Sequence, residues 1–393
     1  MFIILGLRGF SKTKVSCQTE DIMRKLIVEI KSKGDYMSKR IDSLNFIRIL
    51  GMTMILLFHA WLLYGFSTGI SWLDEKISIG AIFVTVFFML SGFGLRKSNA
   101  SLSIRDFSGV LVFYKKRILS IYPLFLLLTI VALLFRFRVM DSFAETLARL
   151  PIQLSMLHIL FGKEWHDFLF NDNCWYVSAL FVLYLLFPFL NEVVKRLGVR
   201  AKICLSVVLW LVSSFIYSYL VYGTELVFLD YYPNPFLRIP EFMIGMILAD
   251  LSEEIEKGTK PHSKYACALI LLGVAVSASV LLTMVLPYFK HETNLYGLVV
   301  IPCTAVVFLC MANWEWLNQM GSKKIGRWLA GLGLEVYLCQ SFATLVLSLV
   351  KVDGNWDELV FIGSTLVFAV VVNTGFSKRI KRMARGCDMI PLK

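Results

Sequence analysis

Residues Ile47–Leu63 read IRILGMTMILLFHAWLL, an apolar run interrupted by Arg48 and His59. Those two residues are eleven positions apart, which on a helix is three turns plus about 20°, so they share a face roughly 16 Å apart along the axis. An ionisable pair on one face of a membrane-length helix is costly in lipid, and such groups usually face a bundle interior or a water-filled cavity. The run therefore decides two matters together. It is a membrane span, and one side of it is polar for a reason.

The rest of the chain has the same character. Hydrophobic residues make up 57% of the 393, mean hydropathy is +0.69, and apolar runs near 20 residues recur, which specifies an all-α polytopic membrane protein. Ten spans are expected, at about 43–65, 77–95, 118–135, 174–191, 203–222, 235–251, 266–287, 295–312, 328–349 and 358–377. They predict a basic N-terminal segment 1–42, a transmembrane domain 43–377 and a basic tail 378–393. The eight cysteines show no CxxC or CxxH spacing and mostly fall inside apolar runs, so neither a disulfide framework nor a zinc site is indicated.

Placing the N-terminus inside puts 31 of the 40 Lys and Arg in inner segments. Arg48 lies just within the first span, and eight basic residues remain outside. This bias predicts cytoplasmic N- and C-termini in a cell inner (plasma) membrane protein. The net charge of +12 is then a topological signature and an attraction to anionic membrane lipid, and needs no nucleic acid to explain it. Residues 1–35 contain a short apolar MFIILGL and an amphipathic stretch Ile22–Ile30, but no signal-peptide core with a cleavage site. Met37, directly before Ser-Lys-Arg and the first span, is an alternative translation start. Leu147–Phe161, with Pro151, Gln153 and His158 among apolar residues, is expected to be a re-entrant or interfacial helix capping the bundle.

Several stretches together resemble the membrane acyltransferase-3 family. They are Leu44-Asn45-Phe46-Ile47-Arg48 followed by Phe58-His59; Val86–Phe93; Phe113–Pro123; Cys174-Trp175-Tyr176 with Tyr184 and Pro188; and Arg238–Phe242 with Gly245. They occur in the family's order over the first two thirds of the chain. The resemblance implies an integral membrane enzyme moving an acyl group, usually acetyl, from cytoplasmic acyl-CoA to a hydroxyl of a sugar or related acceptor outside. The chain also departs from the family. Asn45 stands where an acidic residue is frequent, Ser120 where a second arginine is frequent, Leu180 where one branch has a glutamate, and Gln340 where a histidine is common.

The chemistry can be read from the residues themselves. A sugar hydroxyl attacks a thioester only with help from a general base, and imidazole titrates in the useful range. His59 is the only histidine in an expected span. Arg48 with Lys115, Lys116 and Arg117 can clamp donor phosphates, guanidinium being suited to bidentate phosphate contact. A pantetheine arm would then run along the shared helix face toward His59. Ser91 joins the donor site, Glu241 stands with His59 as a catalytic candidate, and Asn173, Trp175 and Arg238 form the expected acceptor side, a carbohydrate or lipid-linked sugar.

Each residue also has a plainer reading. His59 can be a packing histidine bonded across helices. Arg48 can be a snorkelling anchor. The basic triplet can be topology signal, and Ser91-Gly92-Phe93 can be small-residue packing. Glu241 either orients the imidazole, contacts the acceptor, or pairs at i,i+3 with Arg238. The alternative function is a polytopic transporter or flippase of a sugar-containing or lipid-linked substrate, for which an internal repeat would be expected, and none is visible.

Overall fold

The computed structural model describes residues 41–136, 143–161, 174–216, 233–258, 296–349, 356–378 and 380. The segment before Met37, the expected span 266–287, Asn171, Asp172 and Asn173, and nearly all of the basic tail lie outside them. The chain divides into two units, Met1–Ile41 and Asp42–Lys393, and the helices below belong to the second.

No strand occurs among the described residues. The helices, in chain order, are α1 Asn45–Tyr64, α2 Ser71–Ser78, α3 Phe83–Asn99, α4 Phe107–Arg136, α5 Phe143–Leu154, α6 Cys174–Arg196 and α7 Val199–Leu211. They continue with α8 Ile239–Gly258, α9 Tyr296–Asn313, α10 Glu315–Gly321, α11 Lys324–Ala330, α12 Gly333–Leu349 and α13 Asp357–Val372. Every expected span with described residues coincides with helix there. Among the described residues four helices are long and apolar enough to cross a membrane, or up to six when each of two bent pairs counts as one span. That is fewer than the ten expected. One reason lies in composition and length: α7 is 13 residues long before a π turn at Val212–Ile216, and α8 ends in the acidic stretch SEEIEKG.

The helix of one expected span bends just past its expected end, and another expected span is broken. Val299–Asn313 meets Glu315–Gly321 at 86°, and Lys324–Ala330 meets Gly333–Ser348 at 47°. Glycines at 331 and 333 flank the second bend, as helix kinks require. The resulting elbow, α10 and α11, returns to the start of α1. Asn318 Oδ1 accepts from the backbone N–H groups of Asp42 and Ser43 at 2.5 and 3.2 Å, and Ser43 Oγ donates to the Met311 carbonyl at 2.6 Å. At its other end α1 stops at Gly65, which has φ 75°. Its N–H reaches the Trp61 carbonyl, the left-handed stop that glycine takes without strain. In the following loop Asp74 accepts from Ser67 Oγ and from the N–H and hydroxyl of Thr68. These bonds, the Ser67 hydroxyl first, hold its carboxyl below the usual carboxylate range.

Between helices in lipid the hydrophobic effect contributes little, so close packing and interhelical polar contacts hold a bundle together. The tightest crossing is α3 on α8. A methyl group at Gly92 would strike the Phe242 carbonyl oxygen, and one at Gly245 would strike the Met89 carbonyl oxygen. Each helix thus presses a glycine against the other's backbone. At one end of this crossing Arg96 forks onto Asp250 at 2.7 and 2.9 Å and donates to Asn191 Oδ1 at 2.6 Å, while Lys202 reaches Asp250 at 2.6 Å. One buried guanidinium therefore joins α3, α6 and α8, with α7 attached through Lys202. Elsewhere Tyr114 donates to the Leu185 carbonyl at 2.8 Å, and Asn373 Nδ2 donates to Glu335 Oε1 at 2.8 Å.

The segment expected to cap the bundle is the α5 helix followed by a 3-10 turn, His158–Leu160. Gln153, Met156, His158 and Ile159 are buried, and His158 Nδ1 lies 3.3 Å from Ser178 Oγ on α6.

Two substitutions test this frame. Gly245→Val forces the α3–α8 backbones apart and is expected to cost about 3 kcal/mol, read as a lowered melting temperature in detergent. Arg96→Met leaves Asp250 with Lys202 alone and the Asn191 Oδ1 without its donor, with an expected loss of about 3 kcal/mol. A wild-type melting temperature for either variant would contradict the packing described.

Candidate functional site

The α1, α3, α4, α6 and α12 helices enclose a cavity of about 480 Å³. Arg48 and Arg117 both line it, so residues 69 positions apart in sequence present two guanidinium groups to one space. No carboxylate is among the described lining residues. Arg48 sits one turn into α1, where its Nη1 donates to Asn45 Oδ1 at 2.8 Å. Arg117 comes from α4 together with Ser120 and Ile121, an i, i+3, i+4 face. Lys115 and Lys116 do not line the cavity and are exposed on α4. The geometry is simple: consecutive helical residues point about 100° apart, so one member of a triplet faces a given cavity.

The opposite wall comes from α6. Tyr176, Leu180 and Tyr184 form an i, i+4, i+8 ridge facing the cavity. The hydroxyls of both tyrosines converge on Ser91, and Tyr184 lies within the field of Arg117 and Arg48. Ser91 therefore faces the cavity while the neighbouring Gly92 serves the packing against α8. The two readings of Ser91-Gly92-Phe93 hold for different residues. Tyr176 and Tyr184 were not among the expected site residues. Their helical ridge was the available signal.

The cavity ends one turn before His59. Ile55 on α1 and Tyr337 on α12 line it, whereas His59 and Gln340 do not. These two stand about 6 Å and about 4.5 Å further along their helices, with the Gln340 side chain and the Ile55 carbonyl beside the imidazole. His59 Nδ1 and Gln340 Oε1 are sealed from solvent, and neither makes a hydrogen bond of regular geometry. Two buried polar atoms thus lie just beyond the cavity's apolar end.

Arg238 and Glu241 lie behind the wall. Arg238 Nη1 is 2.8 Å from Glu241 Oε1, with both side chains 5% exposed. Thr85 Oγ1 donates to the same oxygen at 3.0 Å, and Arg238 Cζ stacks 5.5 Å from the Phe88 ring. The i,i+3 pairing is thus the one formed, with Thr85 as the second partner of Glu241. Tyr176 connects the two regions, since its ring packs on Phe88 and Tyr337 at centroid distances of 5.0 and 5.2 Å. Glu241 Oε2 is buried with no hydrogen-bond partner among the described residues. Trp175 is half-buried at the start of α6, edge-on to Tyr176, and Asn173 lies outside the described residues. Among the described residues no group of His, Cys, Asp and Glu is arranged to hold a metal ion.

Ser120 and Leu180, two of the positions that depart from the acyltransferase-3 pattern, both line this cavity. The comparisons agree with the resemblance. No solved structure matches the chain significantly. Acyltransferase MdmB of Streptomyces mycarofaciens is 32% identical over 133 residues, which cover 31% of this chain and 31% of that protein. The match spans under a third of that relative's length. The acyltransferase domain that defines the acyltransferase-3 family matches residues 41–377. By that match the chain belongs to the acyltransferase-3 family.

Proposed function

We propose that the protein is an O-acyltransferase that takes an acyl group, acetyl in the first instance, from cytoplasmic acyl-CoA to a hydroxyl of a cell-surface or exported carbohydrate, free or lipid-linked. The observation that carries this reading is a cavity with Arg48 and Arg117 in its wall that ends one helical turn short of His59. Two guanidinium groups on one cavity suit a polyphosphate, and their bidentate geometry suits phosphate oxygens. In this reading the Arg48 end of α1 faces the cytoplasm, with both termini on that side of the cell inner membrane. Lys115 and Lys116, exposed near the same mouth, raise the local concentration of an anionic donor without lining its site.

The donor's thioester would lie toward Ile55 and Tyr337, so that His59 meets the acceptor hydroxyl from beyond the cavity's end. The imidazole takes the hydroxyl proton while the oxygen attacks the thioester carbonyl. The carbon–sulfur bond then breaks, and the thiolate leaves with the proton that His59 returns. The hydroxyls of Ser91, Tyr176 and Tyr184 provide donors along the donor's path. Arg238 and Glu241, with Trp175 and Asn173, are assigned to the acceptor side, where Glu241 Oε2 can accept from a sugar hydroxyl.

The test is CoA-dependent acyl transfer by purified protein, followed by mass analysis of surface glycans from cells with and without it. A lost acetyl increment on a glycan is the expected result, and unchanged glycans together with no transfer would remove the reading. His59→Ala is expected to lower turnover by at least about 100-fold while the protein stays folded. Arg48→Ala is expected to raise the donor KM about tenfold, because it removes a charge-assisted phosphate contact. A donor KM unaffected by Arg48→Ala contradicts its assignment, and full turnover in His59→Ala contradicts the base.

A further inference from the structure

The α10–α11 elbow presents a surface that the cavity does not use. α9 follows the expected span 295–312, and α10 leaves it at 86°. A helix running across a membrane thus hands over to one lying along its surface, before α11 bends by 47° into α12. The turn begins at Trp314 and Trp316, both exposed, with ring centroids 6.5 Å apart. On α11, Lys324 and Arg327 are exposed at i, i+3, and Ile325 and Trp328 are exposed at i, i+3 one position later. Helical period sets the two pairs about 100° apart, so a basic stripe and an apolar stripe run side by side. Lys323 adds a third exposed cation. Trp316 is 58% and Ile325 71% exposed, so packing within the described chain explains neither.

Tryptophan favours the membrane–water boundary, where its ring is sheltered and its N–H stays wet, and nearby Lys and Arg are drawn to anionic headgroups. A basic cluster alone would only mark the cytoplasmic side. The in-plane helix and the exposed aromatic rings add what topology does not require, and together they match an interfacial amphipathic segment. We propose that the elbow is a docking surface for anionic phospholipid of the inner leaflet. Trp314, Trp316, Ile325 and Trp328 enter the headgroup boundary, and Lys323, Lys324 and Arg327 meet the phosphates. The leaflet rests on the orientation given under the proposed function, and the lipid chemistry does not. Docking here also reaches the site. The Gly321 carbonyl accepts from Asn45 Nδ2 at 3.1 Å, Asn318 holds the first residues of α1, and Ala330, Gly333 and Leu334 line the cavity. Lipid held on the elbow therefore steadies the start of α1 and one edge of the cavity.

The experiment titrates the full-length protein in detergent with phosphatidylglycerol or phosphatidylcholine and follows the melting temperature. Phosphatidylglycerol is expected to raise it, and phosphatidylcholine to leave it nearly unchanged. In Lys323→Gln/Lys324→Gln/Arg327→Gln the phosphatidylglycerol midpoint is expected to move at least about tenfold to higher concentration, since attraction falls with each basic residue removed. The control Lys195→Gln/Arg200→Gln, exposed on either side of the α6–α7 turn, is expected to keep the wild-type midpoint. Equal responses to the two lipids, an unmoved midpoint in the triple variant, or the same loss in the control overturns the proposal. A triple variant that loses CoA binding and keeps its phosphatidylglycerol response assigns the surface to the donor and also overturns it. Lys324→Cys, treated with a membrane-impermeant maleimide, is expected to take up extra label in inside-out vesicles and none on intact cells. Extra label on intact cells overturns the leaflet and the assumed orientation together, whereas label confined to inside-out vesicles with no phosphatidylglycerol response overturns the docking alone.

Discussion

Two guanidinium groups lining one cavity of an apolar bundle are the constraint around which the rest of the site is arranged. Charge in a low-dielectric interior is expensive, and two like charges on one cavity raise that cost further unless hydrogen bonds, water or a ligand of opposite sign offset it. The neighbours of Arg48 and Arg117 are consistent with a partial offset. Asn45 accepts from Arg48, the Tyr184 hydroxyl lies in the field of both cations, and Arg117 stacks on the Phe113 ring at 5.5 Å. None of these groups is an anion. In the proposed function, the donor's phosphate oxygens would supply what they do not.

Holding two cations at a fixed separation requires a rigid frame, and this bundle gets one from packing rather than from apolar burial alone. The glycine-to-carbonyl contacts between α3 and α8 fix the height of Ser91 and Thr85 on α3 relative to Glu241 on α8. The Arg96 fork onto Asp250 and Asn191 fixes α6, whose ridge of Tyr176, Leu180 and Tyr184 forms the opposite wall. Charges used for structure and charges used for ligand are thus kept apart. Arg96 and Arg238 are consumed by carboxylates, and the cavity wall is lined by Arg48 and Arg117.

Much of this was legible in the sequence because it is local. The first span was read as 43–65 and runs Asp42–Tyr64, ended by a glycine whose role is conformational. The common face of Arg48 and His59 follows from helical period alone. What was not legible depends on contacts far apart in sequence. Nothing in the residues near Asn45 announces Gly321, and nothing near His59 announces Gln340. Arg96 read as one of many loop-end basic residues because its partner Asp250 lies 154 positions away. The inclusion of Lys115 and Lys116 in the donor site treated a triplet as a patch, whereas a helix sends its three members in different directions. The elbow falls almost wholly in the connection expected between the spans 295–312 and 328–349, where nothing announced α10, although the glycines at 331 and 333 marked one of its bends.

The central claim is that Arg48, Arg117 and His59 serve one ligand along one path. An experimental structure of the protein with a non-hydrolysable acyl-CoA bound tests it most directly. The account predicts phosphate oxygens against Arg48 and Arg117 and the carbonyl of the thioester analogue near the His59 ring, past Ile55 and Tyr337. Phosphates bound elsewhere, or an imidazole turned toward lipid with no route from the cavity, would contradict it.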